Sequence, residues 1–290
     1  MNRKEFLKSI AMMSIAGSVM KLNALNSMAD GFSASPKMPI LFLGHGNPMN
    51  AITENEFSKG FRNTAANLPK PKAIICISAH WETKGTFITA MDNPRTIHDF
   101  GGFPQELFDV QYPAKGSPET ASLAKNAILS TTVGLDHSWG LDHGCWSVIK
   151  HMYPNADVPV LQMSIDYTKP PQWHYELAKE LEKLREKGVL IVGSGNIVHN
   201  LGKVQWNATK PVDWVETANE KMKKLILDNN HKPLIDYKSL GKEVQMAVPT
   251  PEHYLPLLYI LGLKKEKEEI NLFNDKTELG GISMTSVRIG

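Results

Sequence analysis

The pattern of hydrophobic and polar residues divides the chain after residue 38 into short apolar runs and longer amphipathic segments. Apolar runs of about four to eight residues bounded by glycine or proline are typical of buried strands, whereas apolar residues at every third or fourth position are typical of helices. Their alternation predicts an α/β fold with a central sheet. We expect strands at 39–43, 73–79, 86–90, 158–165, 189–195 and 282–289, and helices at 54–66, 118–130, 139–151, 171–187, 213–229 and after a proline-rich segment at 248–251.

Three histidines come at or shortly after the ends of predicted strands. These residues are His45, His80 and His199. In open α/β sheets, ligands bind beyond the carboxyl ends of the strands. We therefore expect the three imidazoles to meet at one edge of the sheet, where they would form a metal site.

A fourth histidine, His253, follows the proline-rich segment and is expected in the first turn of the last helix. At that position the helix dipole disfavours imidazolium, and the neutral imidazole is the form that binds metal ions. The chain contains no local zinc spacing such as His-Glu-x-x-His. Four further histidines are expected to be hydrogen-bonded structural residues: His137, His151, His174 and His231.

Composition and missing motifs argue against several other classes of protein. The formal net charge is +2 with acidic and basic residues interspersed, so nothing predicts nucleic acid as a partner. The chain has no Gly-x-Ser-x-Gly motif, which disfavours a Ser-His-Asp hydrolase, and no glycine-rich phosphate-binding loop. Two cysteines are too few for a disulfide framework, and Cys76 within an apolar run is expected to be a small buried hydrophobic residue.

The N-terminal segment at 1–37 differs from the rest of the chain. Basic residues precede an apolar stretch at 10–20, and a small polar segment follows, which is the pattern of a secretory signal. The segment at 2–8 is similar to a twin-arginine export motif with lysine in place of the second arginine. We expect a periplasmic, exported protein without a membrane span in its mature chain; the alternative is a cytoplasmic protein with an N-terminal extension. Residues 38–290 would then form the folded domain.

A long irregular stretch at 91–116 is rich in proline, glycine and aromatic residues. Loops of this length inside a compact domain usually serve a function. Its aromatic side chains either wall a binding pocket or cover the edge of the sheet.

Six motifs along the chain resemble those of the 4,5-DOPA extradiol dioxygenases, a branch of the class III ring-opening dioxygenases related to the LigB catalytic subunit. The resemblance runs in order from about residue 39 to residue 290 and leaves the N-terminal segment outside. It implies a single three-layer α/β/α domain with a mixed central sheet. The motifs lie at 44–49, 78–81, 96–104, 139–144, 194–200 and 250–257.

The resemblance also implies one divalent metal ion at the histidine edge. By position, His45 and His80 match the first two metal ligands, and His199 and His253 match the other two histidines assigned to the metal in this branch. Relatives outside the branch complete a triad of two histidines and one carboxylate. Glu252 is therefore an alternative to His253.

The implied activity is cleavage of a catechol such as L-DOPA by O2 next to its two hydroxyls, giving a muconic-semialdehyde-type product. His143 and His98 match histidines of the substrate pocket, and His143 or His199 would act as acid or base. His199 cannot be both base and permanent ligand. Fe(II) is the expected catalytic ion, and Zn(II) is the other ion that the site could hold. A zinc-dependent hydrolase and a non-catalytic metal-binding module are the alternative functions, and the choice between 4,5 and 2,3 cleavage stays open.

Overall fold

The structure, a computed structural model, describes residues 36–205 and 212–290. Residues 1–35 of the predicted signal segment lie outside this part of the chain, so export stays a prediction. No helix among the described residues combines the length and the apolar character needed to cross a lipid bilayer.

The described strands form a mixed sheet of eight strands and a separate two-stranded ribbon. The strands are β1 (Ile40–Gly44), β2 (Ala73–Thr83), β3 (Thr86–Thr89), β4 (Val133–Asp136), β5 (Val160–Asp166), β6 (Val189–Gly195), β7 (Ile270–Phe273), β8 (Thr277–Glu278), β9 (Ile282–Ser283) and β10 (Ser286–Ile289). The order in the large sheet is β4-β3-β5-β2-β6-β1-β10-β7, and β8 pairs with β9. At the centre β5, β2, β6 and β1 are parallel. At one side β10 pairs antiparallel with β1, and β7 pairs antiparallel with β10.

Helices cover both faces of this sheet. They are α1 (Glu56–Ala66), α2 (Gln105–Phe108), α3 (Pro118–Ala127), α4 (His143–Met152), α5 (Pro171–Ala178), α6 (Glu182–Glu186), α7 (Asp213–Leu227), α8 (His231–Ile235), α9 (Lys242–Ala247) and α10 (Leu255–Leu263). On one face, Ile40 and Phe42 of β1 join a core that includes α3, α5, α6, α7 and α10. On the other face, Leu41 and Leu43 join a core that includes α1 and α4. The predicted three-layer α/β/α architecture is confirmed.

Two predicted elements are divided in the structure, and some short strands were not predicted. The helix expected at 171–187 is divided by a 3-10 turn at Lys179–Leu181, although Leu177, Leu181 and Leu184 are buried as its apolar stripe predicts. The strand expected at 282–289 is divided into β9 and β10. Strands β4, β7 and β8 were not predicted, because they are short and their side chains are mostly only partly buried.

The central strands bring the histidine-bearing segments together. Strand β6 lies between β1 and β2, with Gly195 opposite Gly44 and Ser194 opposite both Leu43 and Ser78. The carboxyl ends of all three strands therefore meet at one edge of the sheet, as expected. His80 differs from the prediction because β2 continues past it to Thr83. It lies where the pairing of β2 with β5 shifts register, between Ile77 and Glu82.

Candidate metal centre

A cavity of about 530 Å³ lies beyond the carboxyl ends of β1 and β6. Its wall contains five of the ten histidines of the chain, together with backbone and apolar side chains from four separate segments. The histidines are His45, His80, His143, His199 and His253. The structure thus brings together all four predicted metal-binding histidines and His143.

His45 follows β1 directly, and its backbone N–H donates to the carbonyl of Gly195 at 3.1 Å. Its Nδ1 lies 3.0 Å from Oγ of Ser194, and that hydroxyl donates to the carbonyl of Gly144 at 2.5 Å. Since Ser194 uses its proton on Gly144, it accepts the hydrogen bond from Nδ1–H of His45. Nε2 of His45 therefore carries the free lone pair, as a metal ligand requires.

The glycines on both sides of His45 are required by close packing. A Cβ on Gly44 would lie 2.6 Å from the carbonyl oxygen of Met284. Gly46 has a φ of 63°, and a Cβ there would lie 2.6 Å from Oε1 of Glu278. The Gly-His-Gly motif thus lets the segment between β8 and β10 pack against the His45 turn.

His80 and His143 share one carboxylate. Nε2 of His80 lies 3.3 Å from Nε2 of His45, and Nδ1 of His80 lies 3.3 Å from Oδ2 of Asp99. The same Oδ2 is 3.0 Å from Nδ1 of His143, and Oδ1 of Asp99 accepts a hydrogen bond from the backbone N–H of His143 at 2.8 Å. Burial acts to raise the pKa of Asp99, but the hydrogen bonds and charge of His143 outweigh it and lower this pKa. Asp99 is therefore ionised at neutral pH.

A buried network holds the start of α4 against the sheet. Asp142 is the N-cap of α4, and its Oδ1 accepts hydrogen bonds from the backbone N–H of Cys145 at 3.0 Å and from Oγ of Ser78 at 2.7 Å. Its Oδ2 accepts one from Nε2 of Gln162 at 2.6 Å. This network links α4 to β2 and β5, and so fixes His143, the first residue of the helix.

His253 lies before α10 rather than in its first turn, so that expectation is wrong: the helix begins at Leu255. Nδ1 of His253 donates to Oε1 of Glu252 at 3.0 Å. The ring of His199 stacks on the ring of His253, with centroids 3.5 Å apart and planes 7° from parallel. His199 itself follows β6 by four residues, and its backbone N–H donates to the carbonyl of Ala247 at 2.9 Å.

Burial makes these imidazoles neutral at pH 7. Desolvation lowers the pKa of His45 and His253 well below 6.5, and their neighbouring imidazoles lower it further. Desolvation also lowers the pKa of His80 to about 3 and that of His199 to about 4. Neutral imidazoles present lone pairs, so the cavity fits a divalent ion that accepts nitrogen donors. Two sets of side chains bring their ligand atoms within 4.8 Å of one another: His45, His80 and His143, and His199, Glu252 and His253.

His98 does not lie on the cavity wall, contrary to its predicted place in the substrate pocket. Its Nε2–H donates to the carbonyl of Val110 at 2.9 Å, and its ring contacts Trp146 and Phe100 at centroid distances of 5.6 and 5.8 Å. His98 thus stabilises the loop at 91–116 through contacts outside the cavity lining. The side chains that follow it in sequence, Asp99 and Phe100, line the cavity instead.

An aromatic and aliphatic wall faces the histidines. Phe100 meets the ring of His143 edge to face, with centroids 5.5 Å apart, and Phe103 meets Phe100 in the same way at 5.5 Å. Three further apolar side chains line the same cavity: Leu201, Leu279 and Ile282. The aromatic residues of the loop at 91–116 were expected either to wall a pocket or to cover the edge of the sheet. Phe100 and Phe103 line the cavity, so they wall a pocket.

Comparison with known proteins identifies the family. The sequence model of the catalytic LigB subunit of aromatic ring-opening dioxygenases matches residues 34–289. The chain belongs to this family. It is an extradiol aromatic ring-opening dioxygenase, as the six motifs predicted.

Two curated relatives and one solved structure show how far the similarity extends. The chain is 45% identical to the 4,5-DOPA dioxygenase extradiol of Escherichia coli K12 over 90% of this chain and 98% of the relative. It is 34% identical to the 4,5-DOPA dioxygenase extradiol of Beta vulgaris over 85% of this chain and 94% of the relative. The crystal structure of an uncharacterized E. coli K12 protein matches with a TM-score of 0.77 and 41% identity, over 87% of this chain and all of that one. The similarity therefore covers most of this LigB-family chain and nearly the whole length of each of these three proteins.

Sequence reasoning missed several residues of the LigB-family site. Asp99 lies inside the motif at 96–104, between His98 and Phe100, so its position in the sequence could have indicated that it belongs to the site. Ser194 is the first residue of the motif at 194–200, but the motif gives its hydroxyl no role, and Leu279 occurs in a segment without a strong pattern. For these two, only the folded arrangement reveals the contact with the site.

Proposed function

We propose that this chain opens the ring of an ortho-diphenol such as L-DOPA, next to its two hydroxyls, and adds both atoms of O2 to give a muconic-semialdehyde-type product. We further propose that one ferrous ion is its cofactor. The names of the relatives from E. coli and Beta vulgaris support the substrate class. The observation that carries the proposal is a cavity lined by five histidines and by aromatic side chains, in which burial lowers the pKa of His45, His80, His199 and His253.

We assign His45, His80 and His253 as the metal ligands. Their rings form a nearly equilateral triangle, with centroid distances of 5.1 Å between His45 and His80, 5.3 Å between His45 and His253, and 5.0 Å between His80 and His253. Nε2 of His45 lies 3.3 Å from Nε2 of His80, and Nδ1 of His253 is bonded to Glu252, so His253 also has Nε2 left for a shared ion. We assign Glu252 as the partner that orients His253, because its Oε1 accepts the hydrogen bond from Nδ1.

When bound, the ferrous ion would bring catechol and O2 together and let electron density pass from the ring to oxygen. Zn(II) accepts the same nitrogen donors but is redox-inert, so a zinc-loaded protein should not react with O2.

His199 is the proposed base. It stacks on His253 and is neutral at pH 7 because burial lowers its pKa to about 4, so it can accept a proton from a catechol hydroxyl beside the metal ligands. His143 is the proposed second acid–base group. Its Nδ1–H is held by Asp99, which leaves Nε2 to accept a hydrogen bond from the substrate and later return a proton.

The apolar wall would hold the aromatic ring and exclude water. Phe100 and Phe103 offer edge and face contacts to a planar substrate. Leu279 and Ile282 add aliphatic side chains to the same lining. A ring held this way would keep both hydroxyls near the histidines and limit side reactions with solvent.

The test is anaerobic reconstitution of the metal-free protein with Fe(II) or Zn(II), followed by L-DOPA and air. We expect oxygen uptake equal to substrate loss and a yellow product with Fe(II) alone. His45→Ala should abolish both signals, whereas His137→Ala, which removes an exposed imidazole, should leave them unchanged. Absence of oxygen uptake with L-DOPA, dopamine, 4-methylcatechol and protocatechuate would overturn the proposal and favour a zinc-dependent hydrolase.

A further inference from the structure

We propose that Asp99 is a positioning residue that holds His143 in its Nδ1–H form and sets the orientation of His80 beside it. This inference rests on the proposed function, since it concerns a proposed metal ligand and a proposed acid–base group. Asp99 links the two histidines through one carboxylate.

The contacts of the two carboxylate oxygens of Asp99 define its role. One carboxylate oxygen, Oδ1, accepts the backbone N–H of His143 at 2.8 Å. The other, Oδ2, lies 3.0 Å from Nδ1 of His143 and 3.3 Å from Nδ1 of His80. Oδ1 and Oδ2 of Asp99 both lie at hydrogen-bond distance from nitrogens of His143, and a carboxylate oxygen accepts, so Nδ1 of His143 is the donor. Nε2 of His143 is then the nitrogen with a lone pair.

The loop that carries Asp99 is itself anchored to α4 and to the segment before it. The backbone N–H of Ile97 donates to the carbonyl of Leu141 at 2.7 Å, and the backbone N–H of Leu141 donates to the carbonyl of Arg95 at 2.8 Å. Nε1 of Trp146, in α4, donates to the carbonyl of Ile97 at 2.8 Å. Asp99 is therefore held in a fixed position relative to His143.

An asparagine at position 99 would keep the shape but not the hydrogen bonds. If its amide nitrogen took the place of Oδ2, it would face both Nδ1 atoms as a donor, and His143 would have to move its proton to Nε2. If the amide nitrogen took the place of Oδ1, it would face the backbone N–H of His143, and two donors would oppose each other. Neither orientation reproduces the native arrangement.

The experiment compares Asp99→Asn with Asp109→Asn, which makes the same chemical change at an exposed position ten residues along the chain. The imidazole nitrogens of 15N-histidine-labelled, metal-free protein are observed by NMR at pH 8.5. The two nitrogens of a neutral imidazole differ in chemical shift according to which one bears the proton. Zn(II) dissociation constants are measured by competition with a chelator.

We expect the proton on Nδ1 of His143 in the wild type and in Asp109→Asn. In Asp99→Asn the amide oxygen should stay on the backbone N–H of His143, because that donor cannot lose its proton whereas the imidazole can change tautomer. The proton of His143 should then move to Nε2, and the Zn(II) dissociation constant should rise about 10- to 100-fold. Asp99→Glu, which retains a carboxylate, should restore the Nδ1–H form at least in part. Neither measurement needs turnover, so Asp99 can be tested even if L-DOPA is not cleaved.

Three results would contradict the proposal. A wild-type His143 with its proton on Nε2 overturns it without any variant, which matters if Asp99→Asn does not fold. An Asp99→Asn protein whose His143 signals and Zn(II) affinity match those of Asp109→Asn also overturns it. A changed proton position with unchanged Zn(II) affinity overturns the part that concerns His80.

Discussion

The imidazole of His199 lies flat against the imidazole of His253, with ring centroids 3.5 Å apart. His253 also approaches His80 and His45, at centroid distances of 5.0 and 5.3 Å. This places His253 with the proposed ligands and His199 on its outer side. The sequence motifs match both His199 and His253 to metal ligands, and the stacked arrangement gives the two residues different proposed roles.

The first prediction follows from this separation. His253→Ala should lose the bound metal, with an affinity at least about 100-fold lower, because it removes one of three ligands. His199→Ala should keep the metal within a few-fold of wild type but lose turnover by about 10²- to 10⁴-fold, because it removes a base. Metal content after dialysis and kcat of the reconstituted protein measure the two effects. Metal loss in His199→Ala would instead identify His199 as a ligand.

The second prediction concerns the hydroxyl behind His45. Ser194→Ala removes the acceptor of the Nδ1–H hydrogen bond, so the His45 ring is no longer oriented and becomes a weaker ligand. We expect Zn(II) and Fe(II) affinity to fall about 10- to 100-fold. Ser239→Ala, which removes an exposed hydroxyl, is the matched control. Equal metal affinity of the two variants in chelator competition would show that Ser194 has no such role.

The third prediction concerns the aromatic wall. Phe100→Ala removes a ring next to His143 and should weaken binding of an aromatic substrate by about 1 kcal/mol, which is about fivefold in KM. The effect on kcat should be smaller, since the proposed ligands and bases are retained. Steady-state kinetics with L-DOPA measure both constants, with Tyr167→Ala at an exposed aromatic residue as control. An unchanged KM would mean that the ring binds elsewhere in the cavity.

The fourth prediction concerns a buried ion pair remote from the site. Arg185 is 1% exposed and binds Glu268 through two hydrogen bonds, at 3.1 and 2.6 Å. Glu268→Ala leaves the guanidinium buried without its anion and should lower the free energy of unfolding by about 3 kcal/mol. Urea denaturation of this variant and of Glu266→Ala, at an exposed position, tests it. If Glu268→Ala lowered the free energy of unfolding no more than Glu266→Ala does, the stabilising role of the ion pair would be contradicted.

The same pair predicts a dependence of stability on pH. Burial opposes ionisation of Glu268, but the hydrogen bonds and charge of Arg185 outweigh it and lower the pKa from 4.5 to about 2. A lowered folded-state pKa stabilises the protein above the unfolded-state pKa, and the contribution is lost as the pH falls through the folded-state pKa. The stability difference between wild type and Glu268→Ala should therefore be full above about pH 4.5 and shrink towards pH 2. A difference that does not change over this range would exclude the linkage.

The central strands could be predicted from sequence because both of their faces are buried. Every residue of β1 and β6 is buried, so each reads as a continuous apolar or small-residue run between turn signals. The edge strands β4 and β7 have mixed burial and leave no such run. In the mixed-charge stretch at 264–269 most residues are exposed, but Glu268 turns inward to bind the buried Arg185, which lies 83 positions away in the chain.

The sequence by itself determined the fold class, the family and the kinds of side chain at the site. Imidazoles at strand ends and a glycine- and aromatic-rich loop are local features, and each can be read from a few neighbouring residues. Their chemical identity already predicted nitrogen donors for a metal and a wall for an aromatic ring.

Only the tertiary structure decided which groups bond to one another. Ser194 orients His45 across 149 positions, and Asp99 rather than His98 faces the cavity to bind His143, 44 positions away. His253 has its pKa lowered by burial and not by a helix end. Which nitrogen of an imidazole carries the proton, and how far the ring is shielded from solvent, depend on distances between residues remote in the chain. Those distances exist only when the sheet and its two layers of helices are assembled.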